Sequence, residues 1–126
     1  MKISEIFYIL KDTSSSNAKL ELLKSHEENF LLKKALKYGV DPLIPFHVVK
    51  VPKVVTRHES PYEEKVWYRF FHVADACAER RLTGNEAVET MHSVFSIASE
   101  DDEFWMRRIL KKHLAIGVST RTLKKA

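Results

Sequence analysis

Ser60-Pro61-Tyr62-Glu63-Glu64-Lys65-Val66-Trp67-Tyr68-Arg69-Phe70-Phe71-His72-Val73-Ala74-Asp75-Ala76-Cys77 reads as one long amphipathic helix. Serine is a good cap, proline fits a first helical turn, and Glu63 is placed to reach back to the cap N–H. Val66, Trp67, Phe70, Phe71, Ala74 and Cys77 recur at the 3.6-residue period and form a buried stripe. The helix is expected to continue to about Arg80. Such a stripe needs other helices against it, because no alternating strand pattern is available to cover it.

Downstream, Thr83-Gly84-Asn85-Glu86 has the spacing of a second capping box. It opens a helix with Ala87, Val88, Met91, Val94, Phe95 and Ala98 inward. Ser99 or Asp101 caps the next helix, which carries Trp105, Ile109, Leu110 and Leu114 and ends before Gly117. Ser119 or Thr120 starts a last helix. Upstream, Ile3, Ile6, Phe7 and Leu10 mark a first helix, and Asp12–Asn17 a polar break. Leu20, Leu22 and Leu23 mark a second helix, over Ala18–Ser25. A third runs from about Glu28 to Lys37, with Gly39 as its stop. Between them and the long helix, Tyr38–Val55 holds Pro42, Pro45 and Pro52, which excludes a long helix there. This stretch is expected to cross the surface as an extended connector, with Phe46, Val48 and Val51 turned inward. The predicted architecture is an all-α, compact domain of about six or seven helices with one Pro-rich irregular connector.

The chain has 126 residues, 44% of them hydrophobic, enough for one domain with a single core. A net charge of +4 is only modestly basic. The one cysteine, Cys77, forms no internal disulfide, sits on the apolar helix face and fits a reducing compartment. No signal peptide opens the chain, and no apolar run reaches the ~20 residues of a membrane span. A soluble, cytoplasmic protein with no membrane partner is expected. Six histidines include no pair at metal-ligand spacing, and no phosphate-binding glycine loop, serine-nucleophile elbow or dinucleotide fingerprint occurs. No catalytic residue and no metal site is expected. Trp67, Phe70 and Phe71 could stack on bases, but their common stripe favours the core.

Charge is distributed unevenly. Phe104–Ala126 carries seven basic side chains and no acid. Arg107, Arg108, Lys111 and Lys112 precede the turn Ala115-Ile116-Gly117-Val118-Ser119-Thr120-Arg121-Thr122-Leu123; Arg121, Lys124 and Lys125 follow or lie within it. A glycine turn with hydroxyls at a helix start converges backbone N–H groups, and cations around it suit a phosphate. The plain alternative is that bases near helix ends complement the dipole and stay solvated. Lys50 and Lys53 straddle Pro52 on the connector, where they serve either a solvated loop or a backbone contact.

Three blocks in order carry a resemblance. They are Leu32–Tyr38 followed by Asp41-Pro42, Phe46 and Lys50-Val51-Pro52-Lys53; Arg81-Leu82-Thr83-Gly84-Asn85; and Arg107-Arg108-Ile109-Leu110 with Leu114-Ala115-Ile116-Gly117-Val118-Ser119. With this spacing the chain resembles the N-terminal DNA-binding domain of ATP-dependent DNA ligases, especially the bacteriophage type. The resemblance implies a helical domain that binds the minor-groove side of duplex DNA through its backbone, on both sides of a nick. Carried over, Thr83, Gly84 and Asn85 form one phosphate-contacting helix start, with Arg81 as a further DNA-binding residue. Gly117, Val118, Ser119, Thr120, Arg121 and Thr122 form a second. Lys111, Lys112, Arg121 and Lys124 add charge.

The adenylated Lys-x-Asp-Gly motif of ligases is absent. The domain is therefore expected to hold no cofactor itself; ATP and Mg2+ are implied for a parent enzyme. The implied partners are nicked double-stranded DNA, the adenylation domain of a longer polypeptide and a sliding clamp, in host cytoplasm if the chain is phage-encoded. Two other functions fit parts of the sequence. The turn at Ile116–Leu123 also resembles the entry to a helix-turn-helix recognition helix of a transcription regulator. A helical face could equally serve as a protein-interaction module of a replication complex.

Overall fold

The computed structural model describes residues 2–48 and 50–125, with side chains described as far as Leu123. Seven helices follow one another: α1 (Ile3–Asp12), α2 (Ser16–Ser25), α3 (Phe30–Val40), α4 (Glu63–Ala78), α5 (Gly84–Ile97), α6 (Glu100–Leu110) and α7 (Thr120–Lys125). No strand occurs among the described residues, so the all-α expectation holds. α4 packs chiefly on α5, α6 on both α1 and α3, and α7 on α3.

The core forms where the predicted stripes meet. Phe7, Phe70, Phe95, Trp67 and Trp105 are fully buried. The Phe7 and Trp105 rings sit 5.0 Å apart and join α1 to α6. Trp105 is thus central to the core. Cys77 lies in the same core, as its helix position predicts.

Capping chemistry sets several boundaries. The Ser15 side chain accepts from Ala18 N–H at 3.3 Å, Asn29 from Leu32 N–H at 3.0 Å and Ser99 from Asp102 N–H at 3.1 Å. Two expected caps take another form. Tyr62, not Ser60, is the N-cap of α4; Ser60 Oγ accepts from Tyr62 N–H at 3.1 Å and closes a turn just before the helix. Thr83 is the N-cap of α5 but its hydroxyl makes no cap hydrogen bond, so the expected box is open. Gly39 also departs from expectation. It lies inside α3, buried, and a Cβ there would come within 2.7 Å of Leu114 Cγ. The glycine admits a close helix-to-loop approach and does not end the helix.

The connector runs as predicted, with Phe46, Val48 and Val51 buried. It is stitched down further along by backbone bonds from His58 N–H to Ser96 O and from Ser60 N–H to Ile97 O, each 2.8 Å. Arg57 donates to Phe95 O at 2.9 Å, to Ala98 O at 2.6 Å and to Glu103 at 2.5 Å. Sequence periodicity carries no information about these bonds, because they depend on a non-repeating stretch finding a helix junction.

Candidate nucleic-acid interface

The chain leaves α4 and α6 in the same way. After α4, Arg80 adopts φ +59°, with bonds from Arg80 N–H to Cys77 O and from Arg81 N–H to Ala76 O. After α6, Lys112 adopts φ +59°, with bonds from Lys112 N–H to Ile109 O and from His113 N–H to Arg108 O. Each is a Schellman closure with the left-handed position filled by a cation where glycine is the usual residue. A left-handed side-chain residue costs about 1 kcal/mol. A cation there gains from the nearby helix C-terminus.

The connector joins these two turns. Arg80 Nη2 lies 3.3 Å from His47 Nδ1, and His47 itself has φ +61°. The neighbouring Phe46 carries the Lys112 ammonium 5.0 Å above its ring. Lys112 also donates to Tyr38 O, and burial holds its pKa below the ordinary lysine value, with Asp41 acting against the shift. Lys112 is therefore half-buried and tied to the fold. Tyr38 in turn donates to Asp75, which stands 3.9 Å from Lys34. Arg80 and Lys112 thus occupy one region, whereas no hydrogen bond joins residues 83–85 to residues 117–122 among the described residues.

The remaining predicted residues fall into distinct settings. Arg81 is exposed and paired with Glu79 at 2.5 Å. Thr83 and Asn85 are exposed, and Gly84 has φ +58° with open space around it. Only glycine adopts that backbone cheaply, so Gly84 shapes the entry to α5 without being crowded. Lys111, Thr120 and Arg121 are exposed, and none of the ion pairs among the described residues uses Lys111 or Arg121. Ser119 Oγ accepts from Thr122 N–H at 3.3 Å and lies 3.2 Å from Thr122 Oγ1, capping α7. Val118 is half-buried and packs on the core. The side chain of Lys124 lies outside the described residues.

Gly117 is exposed with φ +69°, and a Cβ there would collide with the Lys19 ammonium. Lys19 therefore joins the turn from α2, a contribution that nothing in the local sequence signals. An open cleft of about 430 Å³ follows the backbone from Lys112 to Ser119 and reaches Gly39. Two further bases of the cationic tail, besides Lys112, belong to the fold. Arg107 bonds Glu103, Val51 O and Pro52 O; Arg108 donates to Leu114 O at 3.1 Å and covers the Phe104 ring at 4.5 Å. No group able to hold a metal occurs among the described residues, and no helix there is long and apolar enough to cross a membrane.

In sequence and in fold the chain is like a domain of DNA ligases, the resemblance read from its three blocks. Among curated proteins it is 24% identical over 123 residues to the DNA ligases of Enterobacteria phages T4 and T6, covering 98% of this chain. Two solved ligase structures, named Pmar-Lig_PreS3 and Pmar-Lig_Pre., superpose with TM-scores of 0.85 and 0.83 at 26% and 25% identity, over 99% of this chain. The chain spans 25% of the length of those phage ligases and 29% of each solved chain. No family model matches it.

Proposed function

We propose that this domain binds the sugar–phosphate backbone of duplex DNA, blind to sequence, and holds a nick for ATP-dependent ligation by an adenylation domain on the same polypeptide. The observation that supports this most is the coincidence of two things. The likeness to DNA ligases runs through almost the whole chain, and exposed cations, Lys111 and Arg121, flank a solvent-exposed glycine turn. Phosphate contacts made by backbone amides and ammonium groups carry no sequence information. A ligation domain needs that indifference, since breaks arise in any sequence. ATP and Mg2+ belong, in this reading, to the catalytic neighbour, and a sliding clamp is a further partner of the whole enzyme.

Fluorescence anisotropy with duplexes of unrelated sequence, nicked and intact, tests the reading. Affinity should be equal across sequences and fall with salt at a log–log slope of about −0.9 per neutralised phosphate. A hundredfold preference for one sequence would overturn it in favour of a regulator.

A further inference from the structure

A second cationic cleft lies between the connector and the end of α6. It holds about 510 Å³ and is lined by Lys50, Val51, Pro52, Arg107 and Lys111. Lys50 and Lys111 are exposed, and neither pairs with an acid among the described residues. Lys50 comes from the connector and Lys111 from the end of α6, so the cleft exists only while the connector is held against that helix.

A clamp holds it there. Arg107 donates from Nη1 to Val51 O at 2.7 Å and from Nη2 to Pro52 O at 2.9 Å. Glu103 fixes the same guanidinium through Nε at 2.6 Å. Its other oxygen accepts from Arg57 at 2.5 Å, and Arg57 is itself anchored on Phe95 O and Ala98 O. The two guanidinium groups hold the Glu103 carboxyl below its ordinary pKa despite its burial. Its charge is thereby spent inside the fold, and both lysines face solvent from a fixed frame.

We propose that this cleft is a further contact for a duplex phosphodiester backbone, with Lys50 and Lys111 as its cations and Glu103, Arg107 and Arg57 as positioning residues. The inference rests on the function proposed above and adds to it a site on the connector. Glu103 makes it testable in sign. Taking an acid off a surface that binds DNA raises the net charge and by charge alone tightens binding. If Glu103 positions the cleft, Glu103→Gln weakens binding instead.

The experiment titrates a nicked duplex into the whole chain, Lys50→Gln/Lys111→Gln and Glu103→Gln across a salt series, with each variant kept well below its melting midpoint. The double variant is expected to lose about tenfold in affinity and to shallow the salt slope by about 1.8, two phosphates at 0.9 each. Glu103→Gln is expected to lose about fivefold and to shallow the slope as well, which general loosening of the fold away from the cleft would not do. An unchanged affinity and slope in the double variant overturns the cleft. Equal or tighter binding by Glu103→Gln overturns the positioning role. Absence of duplex binding by the unaltered chain overturns the underlying function instead, so the failures are separable. If Glu103→Gln does not fold, Lys50→Gln alone, which leaves both the clamp and the cation beside the glycine turn intact, decides the cleft: a slope shallower by about 0.9 supports it and an unchanged slope overturns it.

Discussion

Asp102 is a buried carboxylate whose protonation should be visible in the stability of the fold. It stands in the first turn of α6, 3% exposed, and its Oδ1 has no hydrogen-bond partner. Burial pushes its pKa from 3.8 up to about 6; the negative charge of Glu63 adds to the rise, while the Trp67 indole, Ser99 and Lys2 oppose it. Because the folded pKa exceeds the unfolded one, the folded chain binds the extra proton between about pH 4 and pH 6. Stability contributed by this group is full below the lower value and is lost as pH rises through the upper one. The difference of about 2 pKa units corresponds to about 3 kcal/mol at neutral pH. The helix N-terminus favours the anion by up to about 1 kcal/mol, which trims the expected effect to about 2 kcal/mol. Asp102→Asn keeps the shape and removes the charge. Urea unfolding of both proteins from pH 4 to pH 8 should show no difference near pH 4 and a gain of about 2 kcal/mol for the variant by pH 7. A variant less stable than the parent at pH 7.5, or a gain that does not vary with pH, would refute this account of the buried carboxylate.

Gly39→Ala should destabilise by about 1–3 kcal/mol in thermal or urea unfolding, since its methyl group would drive the buried Leu114 out of place. Arg57→Ala should cost about 2–4 kcal/mol, because it leaves Glu103 short of a partner and frees two carbonyls, with the loss read as an earlier urea midpoint. Arg80→Gly should stabilise by about 0.5–1 kcal/mol by relieving the left-handed position, while weakening duplex binding in the same salt series. Lys111→Gln should leave the unfolding midpoint unchanged and reduce the salt slope of duplex binding by about 0.9, as the lysine is exposed and unpaired among the described residues.

The helices were legible because burial repeats. Trp67, Phe70 and Phe71 face the core for the reason their spacing predicts, and a stripe that wide has no other place to go. Ser99 and Ser119 were legible as caps because short hydroxyls beside an apolar repeat compete well for the first free N–H groups. Less could be read where one residue type serves two purposes. Gly39 has the composition of a helix stop, yet its missing side chain makes room for Leu114, a residue far away in sequence. Ser60 has the composition of a cap and closes a preceding turn instead. At the candidate interface, sequence alone does not distinguish the seven bases of the tail. The structure separates Arg107, Arg108 and Lys112, each bonded to a backbone carbonyl, from Lys111 and Arg121 in solvent. Lys19 could not be found at all, since only the fold sets α2 beside Gly117.

Under the proposed function, a modest net charge has to serve a polyanion. Long-range attraction scales with the charge that reaches solvent, and a positive total of +4 supplies little of it. The fold compensates by placement. Acids in the first turn of α6 lie near its positive end, and Glu103 is consumed by two guanidinium groups. Cations are set where helices end, so that Arg80 and Lys112 close backbone turns while Lys111 and Arg121 remain available beyond them. A Schellman turn with glycine at its left-handed position would be more stable locally but would carry no charge. Filling that position twice with a base trades about 1 kcal/mol of backbone comfort at each turn for a cation fixed at a helix end. Both side chains meet the Phe46–His47 segment, so each charged turn also ties the connector to a helix end.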